Sequence, residues 1–186
     1  MIKQLFLSMA LMLTLSQLAS AQRYMTRSGN VSFFSHTPME DIKADNSQVA
    51  AVMDASTGSL AYTVLIKSFQ FEKALMQEHF NENYMESDKY PKASFSGKIR
   101  DMGKIDLTKD GEYNVTVDGK LTMKDKTNEV SVPGTVIVKN GKITNKTKFV
   151  VNPADYNIEI PAVVKEKIAK EIEVTVEATL DPVSAR

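Results

Sequence analysis

Hydrophobic and polar positions alternate with a period of two along most of the chain. The longest run covers residues 113–124, where one face carries Tyr113, Val115, Val117, Gly119, Leu121 and Met123. Shorter runs of the same kind occur at 31–33, 60–66, 93–99, 143–151 and 172–180. Because successive side chains of a strand point to opposite faces, these runs predict strands with one apolar face. The length of the first run indicates a curved sheet, with a bend or bulge at Gly119.

Turn sequences separate the predicted strands. Asn140-Gly141 lies between two alternating runs and predicts a tight hairpin, and Asp110-Gly111 is a second turn signal. Pro133-Gly134 interrupts another run and predicts an edge strand or a bulge, because proline has no backbone N–H to donate. The count of about eight strands with short connections is typical of an antiparallel barrel or sandwich.

The segment 72–87 departs from this period. Leu75, Met76, His79, Phe80 and Tyr84 recur at spacings of three and four and form one helical stripe, and Tyr90-Pro91 then ends the segment. We therefore predict one helical insertion between two strands. Such a helix either closes the end of the core or forms a movable lid, and the periodicity does not separate these alternatives.

The first 21 residues have the organisation of a signal peptide. Lys3 precedes the apolar run 5–15, and Ala19-Ser20-Ala21 provides a small-residue cleavage site. The apolar run is shorter than the roughly 20 residues of a membrane-spanning helix, and no cysteine follows it that could carry a lipid. We predict cleavage before Gln22, one domain over 22–186, and a bacterial periplasmic or secreted location.

Composition excludes several classes of function. Lys plus Arg and Asp plus Glu both number 23, so there is no basic excess to neutralise nucleic acid. Cysteine is absent, which removes thiolate nucleophiles, disulfides and thiolate-held metals. Lys139, Lys142, Lys146 and Lys148 crowd one predicted hairpin, where either solvent or an anionic membrane surface would face them.

Neither histidine lies in a recognisable catalytic or metal motif. His79 has Glu82 and Glu86 nearby, but it shares the apolar stripe and is interpreted as a structural residue. Ser35 precedes His36, and adjacency in a strand does not bring two side chains together. We predict no metal, no catalytic residue and no enzyme activity.

An eight-stranded barrel has an interior just wide enough for its own side chains or for one small ligand. The predicted inward faces include four small residues, Ala93, Gly97, Gly119 and Ala178, which would leave room inside. A solid core with ordinary variation in side-chain size is the alternative.

The chain resembles the YceI-like family over nearly all of residues 22–186. The most specific segment is 75–97, which contains the helical stripe and Tyr90-Pro91, and 57–58, 66–71, 119–123 and 155–158 also match. The resemblance implies an exported, lipocalin-like, eight-stranded antiparallel barrel that holds a polyisoprenoid or a similar long amphiphile. One stretch departs from the family pattern Leu-Thr-x-x-Gly-x-Thr: Asp125 takes the place of the glycine within a charged turn, 124–129.

These observations together predict a non-catalytic carrier or sequestering protein for a long-chain polyisoprenoid, isoprenoid quinone or similar lipid, with no cofactor besides that lipid. The predicted apolar lining and lid residues are Phe33, Tyr62, Val64, Phe69, Phe71, Leu75, Phe80, Tyr84, Phe95, Ile99, Val117, Leu121, Met123, Val174 and Val176. A filled barrel acting as a protein-interaction module is the main alternative, and a hydrolase is a weaker one. Transient membrane contact and homodimerisation are left open.

Overall fold

The computed structural model describes residues 22–183, so the predicted signal peptide lies outside the described residues. Within this range the strands are β1 Arg23–His36, β2 Asp41–Asp54, β3 Ser59–Leu65, β4 Gln70–Phe71, β5 Lys92–Ile99, β6 Gly111–Met123, β7 Lys126–Lys139, β8 Lys142–Val151 and β9 Ile172–Pro182. Helix α1 covers Ala74–His79 and continues as a π-helical turn, Phe80–Tyr84. Short 3-10 turns lie at Ile66–Ser68, Met102–Lys104, Pro153–Tyr156 and Ala162–Val164.

Eight of these strands form a closed antiparallel barrel. The order around the barrel is β1-β9-β8-β7-β6-β5-β3-β2, and pairing between β2 and β1 closes it. The two-residue strand β4 is added to β2 outside this cycle, through Phe71 beside Ala44. The predicted antiparallel eight-stranded barrel with one short helical insertion is therefore confirmed.

The turn signals are realised in part. Asn140 and Gly141 both have positive φ, 52° and 74°, which is the backbone of a tight hairpin turn between β7 and β8. At Pro133-Gly134 the predicted bulge is wrong, because β7 keeps an unshifted register with β6 through both residues. The expectation of an edge holds for half of β7, since its pairing with β8 begins only at Gly134.

The bulge predicted at Gly119 is also wrong. Register with both neighbouring strands is continuous through Gly119, and the irregularities lie instead in β1, between Thr26 and Val31. Gly29 occupies that irregular stretch and faces the interior, where a Cβ atom would lie 3.0 Å from the Cβ of Ala178. Gly29 thus lies where β1 passes close to β9, and a side chain there would require its neighbours to shift.

One end of the barrel is solidly packed. Its buried core consists of Tyr24, Ala51, Met53, Leu60, Ile99, Val117, Val136, Ile143, Ala178 and Leu180. The loop between β5 and β6 packs Met102, Ile105 and Leu107 against this cluster. The other end is covered by the helical insertion and by the segment between β8 and β9.

Candidate ligand-binding cavity

A cavity of about 580 Å³ occupies the barrel between the packed end and the helical insertion. This volume lies within the range of small-molecule and cofactor sites. Its wall includes all fifteen predicted lining residues: Phe33, Tyr62, Val64, Phe69, Phe71, Leu75, Phe80, Tyr84, Phe95, Ile99, Val117, Leu121, Met123, Val174 and Val176. Alternation along the strands brings the strand residues of this set together around one space, whereas Phe69 precedes β4 and the helical insertion supplies Leu75, Phe80 and Tyr84. Their contact with a ligand stays a prediction.

The four small inward residues do not create the cavity. Only Ala93 among them lies on its wall, whereas Ala178 belongs to the packed end. At Gly97 and Gly119 the Phe95 ring occupies the nearby space, since a Cβ atom would lie 2.6 Å and 2.7 Å, respectively, from the Phe95 Cζ atom. The expectation that these glycines leave room is therefore wrong: they accommodate a ring, and the cavity lies beyond it.

Four phenylalanines join the helical insertion to the wall. Phe80, in the π-helical turn, has its ring centroid 5.5 Å from Phe33, 5.5 Å from Phe69 and 5.1 Å from Phe71. Aromatic pairs at such separations contribute about 0.5–1.5 kcal/mol each beyond the area they bury. The insertion is thus anchored by a side chain that is itself part of the cavity wall, while Leu75 on α1 remains 61% exposed.

A polar pair lies at the floor of the cavity. Asn145 Nδ2 donates a hydrogen bond of 2.9 Å to Tyr62 Oη, across the barrel from β8 to β3. The Tyr62 ring packs against both the core of the closed end and the cluster around Phe69, which places the pair at the boundary between them. Burial raises the pKa of Tyr62 to about 12, with the Asn145 hydrogen bond acting in the opposite direction, so its hydroxyl is neutral at physiological pH.

Sequence reasoning missed the polar residues on the inward face of β8. Asn145 and Thr147 point into the barrel and line the cavity. The signal was present, because the outward assignment of Lys146 and Lys148 requires their neighbours at odd positions to face inward. The prediction of the cavity wall used only apolar residues and therefore did not include Asn145.

A second omission is the segment between β8 and β9. It contributes Pro153, Ile158, Ile160, Val164 and Ile168 to the cavity wall. Asn128 Nδ2 donates 2.8 Å to the Asp155 carbonyl oxygen and ties this segment to the unpaired half of β7. Its apolar residues follow neither a strand nor a helix period, so periodicity gave no sign of them.

Lys124, in the charged turn between β6 and β7, holds the helical insertion in place. Its side chain is 8% exposed and forms an ion pair with Glu86. Its Nζ also donates to the carbonyl oxygens of Tyr84 and Asn157, at 3.2 Å each. Lys124 thus joins the end of the π-helical turn to the segment after β8, at the rim of the cavity.

We expect Lys124→Met to loosen the insertion while leaving the barrel folded, because methionine keeps an unbranched chain one atom shorter and loses all three polar contacts. Hydrogen exchange followed by mass spectrometry should show faster exchange over residues 80–90. Lys126→Met, at an exposed position two residues further on, is the matched control. Equal exchange over 80–90 in wild type and Lys124→Met would contradict the assignment.

The same contact predicts a dependence on pH. The hydrogen bond from Lys124 lowers the pKa of Glu86 below its ordinary value of 4.5, and the nearby charge of Lys124 acts in the same direction. A depressed carboxyl pKa stabilises the folded state above the unfolded pKa, and that stabilisation disappears as pH falls through the folded value. The difference in melting temperature between wild type and Lys124→Met should therefore shrink below about pH 4.5, and an undiminished difference at about pH 3 would refute this.

Ser35 and His36, considered above for serine catalysis, do not come together in the structure. Ser35 points inward and its Oγ accepts a hydrogen bond of 2.9 Å from the Ala169 N–H, whereas His36 points outward and its Nδ1 lies 2.6 Å from Asp41 Oδ1. The two side chains thus lie on opposite faces of β1. Within residues 22–183, no group of three or more His, Asp or Glu side chains is arranged to hold a metal ion.

The lysine-rich hairpin carries little excess charge. Lys142, Lys146 and Lys148 lie 2.8, 3.3 and 2.8 Å from carboxylate oxygens of Asp181, Glu177 and Glu173, respectively. These cross-strand ion pairs on β8 and β9 favour a solvated face.

In the part of the chain that the structure describes, no helix combines the length and apolar character needed to cross a membrane.

Solved structures of other proteins share this fold. A polyisoprenoid-binding domain from Saccharophagus degradans, implicated in plant cell wall breakdown, superposes with a TM-score of 0.77 at 12% identity, covering 87% of this chain and 98% of that one. BcnA from Burkholderia cenocepacia gives 0.69 at 21% identity, with 82% and 95% covered. The YceI protein of Campylobacter jejuni gives 0.61 at 17% identity, with 81% and 90% covered.

Sequence comparison identifies the family. No curated protein sequence matches the chain significantly. The model of the YceI-like domain, however, matches residues 23–180, which is most of the chain and extends from the start of β1 into β9. On this match, and in agreement with the resemblance of residues 75–97, the chain belongs to the YceI-like domain family.

Proposed function

We propose that this protein is an exported, non-catalytic carrier or sequestering protein that binds a long-chain polyisoprenoid, an isoprenoid quinone or a similar amphiphilic lipid inside the barrel. The observation that carries the proposal is the cavity of about 580 Å³ with its largely apolar wall. Similarity to a domain described as polyisoprenoid-binding supports the ligand class, and the predicted signal peptide supports export.

The energetics of a hydrocarbon chain suit such a site. Burying roughly 16 methylene groups at about 0.8 kcal/mol each gives on the order of 13 kcal/mol before costs. Association and ordering cost about 4–15 kcal/mol. A short chain would therefore bind weakly and a long one well, without any catalytic group or metal.

The test is to purify the protein without detergent from its native host and to analyse its organic extract by mass spectrometry. We expect a long-chain isoprenoid lipid in substoichiometric to equimolar amount, absent from an unrelated periplasmic protein purified in parallel. Added isoprenoids should also displace an apolar fluorescent probe from delipidated protein.

Two results would overturn the proposal. Consistent absence of lipid, together with no displacement of the probe, would favour a barrel that acts through its outer surface as a protein-interaction module. Turnover of a lipid ester that His79→Ala or His36→Ala abolishes would assign the protein to the hydrolases instead.

A further inference from the structure

Three apolar side chains are exposed at the end of the barrel that the helical insertion covers. Among the large hydrophobic residues within 22–183, the most exposed are Val163 at 90%, Met39 at 63% and Leu75 at 61%. They lie between β8 and β9, between β1 and β2, and on α1, respectively. Single exposed hydrophobic residues are ordinary on a protein surface, but here the three most exposed ones share one end of the barrel.

The turn between β1 and β2 contacts the start of α1. Glu40 and Lys73 form an ion pair, with 3.3 Å between the carboxylate oxygen and the ammonium nitrogen, and both residues line the cavity. Met39 adjoins Glu40, and Leu75 lies two positions beyond Lys73. The first two exposed side chains therefore belong to segments that meet at the rim of the cavity.

The segment between β8 and β9 covers another part of the same rim. Val164 and Ile168 line the cavity, whereas Val163 is exposed to solvent. A hydrogen bond of 2.9 Å from the Ala169 N–H to Ser35 Oγ fixes this segment to the end of β1, just before the turn that carries Met39. The third exposed side chain thus lies beside the same opening.

We propose that this end of the barrel docks on the surface of a lipid bilayer, with Val163, Met39 and Leu75 inserted at the boundary between head groups and acyl chains. The inference rests on the proposed function, because it identifies the surface from which a long-chain lipid would enter the cavity. At such a contact an apolar chain could pass from bilayer to barrel without exposing its whole length to water, which is unfavourable in proportion to the exposed apolar area.

A bilayer suits these side chains better than a protein partner does. A protein interface has a closely packed, fully buried centre with matching shapes on both sides. Val163, Met39 and Leu75 instead come from three separate segments around an opening. Fluid lipid can surround each of them individually, and the cavity between them then faces the phase in which a long-chain lipid dissolves.

The charges near Val163 indicate that docking does not depend on anionic lipids. Residues 158–171 carry three lysines and three glutamates, namely Lys165, Lys167, Lys170, Glu159, Glu166 and Glu171. The helical insertion adds Glu72, Glu78 and Glu82. Without a positive excess at this end, attraction to an anionic surface is weak. Burial of apolar side chains therefore supplies the affinity, and binding should be insensitive to salt.

A single tryptophan can report the contact, because the chain contains none. We expect the emission of Val163→Trp to shift to shorter wavelength when phosphatidylcholine vesicles are added, and to be quenched by lipids brominated on their acyl chains. The response should persist at about 0.5 M salt. Val52→Trp is the matched control, since Val52 is exposed and lies between two core residues of the packed end, Ala51 and Met53; it should not respond.

Met39→Asp/Val163→Asp removes two of the three exposed side chains without changing the cavity wall. We expect its partition onto phosphatidylcholine vesicles, measured by sedimentation, to fall at least about tenfold. Uptake of farnesol carrying a nitrobenzoxadiazole fluorophore should slow similarly when the farnesol is supplied in vesicles, whereas its affinity without vesicles should stay unchanged. Val52→Asp should behave like wild type in all three measurements.

The outcomes separate this inference from the proposed function. If the labelled farnesol binds but Val163→Trp does not respond to vesicles, the docking surface is refuted while lipid binding stands. A response that requires phosphatidylglycerol or disappears at high salt would assign the contact to the lysines and also refute it, as would an equal response of Val52→Trp. If Val163→Trp responds but the farnesol does not bind, the docking surface stands and the proposed function fails.

Discussion

Val117→Arg should prevent the barrel from folding stably. Val117 is 8% exposed and belongs to both the packed core and the cavity floor. An arginine there would bury an unpaired charge among Ile99, Val136 and other apolar side chains. We expect a loss of about 4 kcal/mol or more in the free energy of unfolding, out of the 5–15 kcal/mol typical of a domain, measured by urea denaturation.

The same substitution four residues further along β6 should act differently. Leu121 lies about 13 Å nearer the helical insertion, because a strand rises about 3.3 Å per residue. It is two residues from the end of the strand, so an arginine side chain can reach water and the fold should persist. We expect Leu121→Arg to remain folded and to lose binding of an apolar probe, since the arginine side chain would extend across the cavity.

Asn114→Arg is the control for both variants. It lies on the same strand, points outward and is exposed, so its stability should change by less than about 0.5 kcal/mol. If Val117→Arg and Leu121→Arg both fold and bind a probe like wild type, the inward assignment of this face of β6 is wrong.

Periodicity predicted an antiparallel barrel or sandwich and the apolar strand residues of the cavity wall, and the family resemblance selected the barrel. In β6, the assignment of one residue determines the side of every other, because a shift of one residue would move the whole apolar set outward. The same logic places Phe33, Tyr62 and Val174 on one wall although they lie far apart in the sequence. What periodicity supplies is the side on which each residue of a strand lies.

Contacts between distant segments could not be obtained in this way. Asn145 meets Tyr62 across 83 residues, and Lys124 reaches Tyr84 across 40. Lys124 in particular looks like an ordinary surface residue in a charged turn, and its burial depends on the carbonyl groups and the carboxylate that surround it. Within a strand, the sequence identifies which residues face the interior, whereas the hydrogen-bond partners of those residues depend on how the ends of the barrel are covered.

Two glycines, one on β5 and one on β6, are also required by a contact between strands that periodicity does not reveal. Gly97 and Gly119 are directly paired. A Cβ atom on Gly119 would lie 2.6 Å from the Ser96 carbonyl oxygen and 2.7 Å from the Gly97 Cα atom. We therefore expect Gly119→Ala to cost about 2–3 kcal/mol in the free energy of unfolding, because overpacking a close contact forces backbone shifts.

Two further variants separate the close approach of the two strands from crowding by the Phe95 ring. Gly103→Ala adds the same methyl group where no atom lies within 4 Å, so it should be neutral or slightly stabilising, since alanine restricts the unfolded chain. Phe95→Ala added to Gly119→Ala should not restore stability, because the Ser96 and Gly97 contacts belong to the backbone. If truncating Phe95 did restore it, the ring, and not the separation of β5 and β6, would be the reason that glycine is needed at position 119.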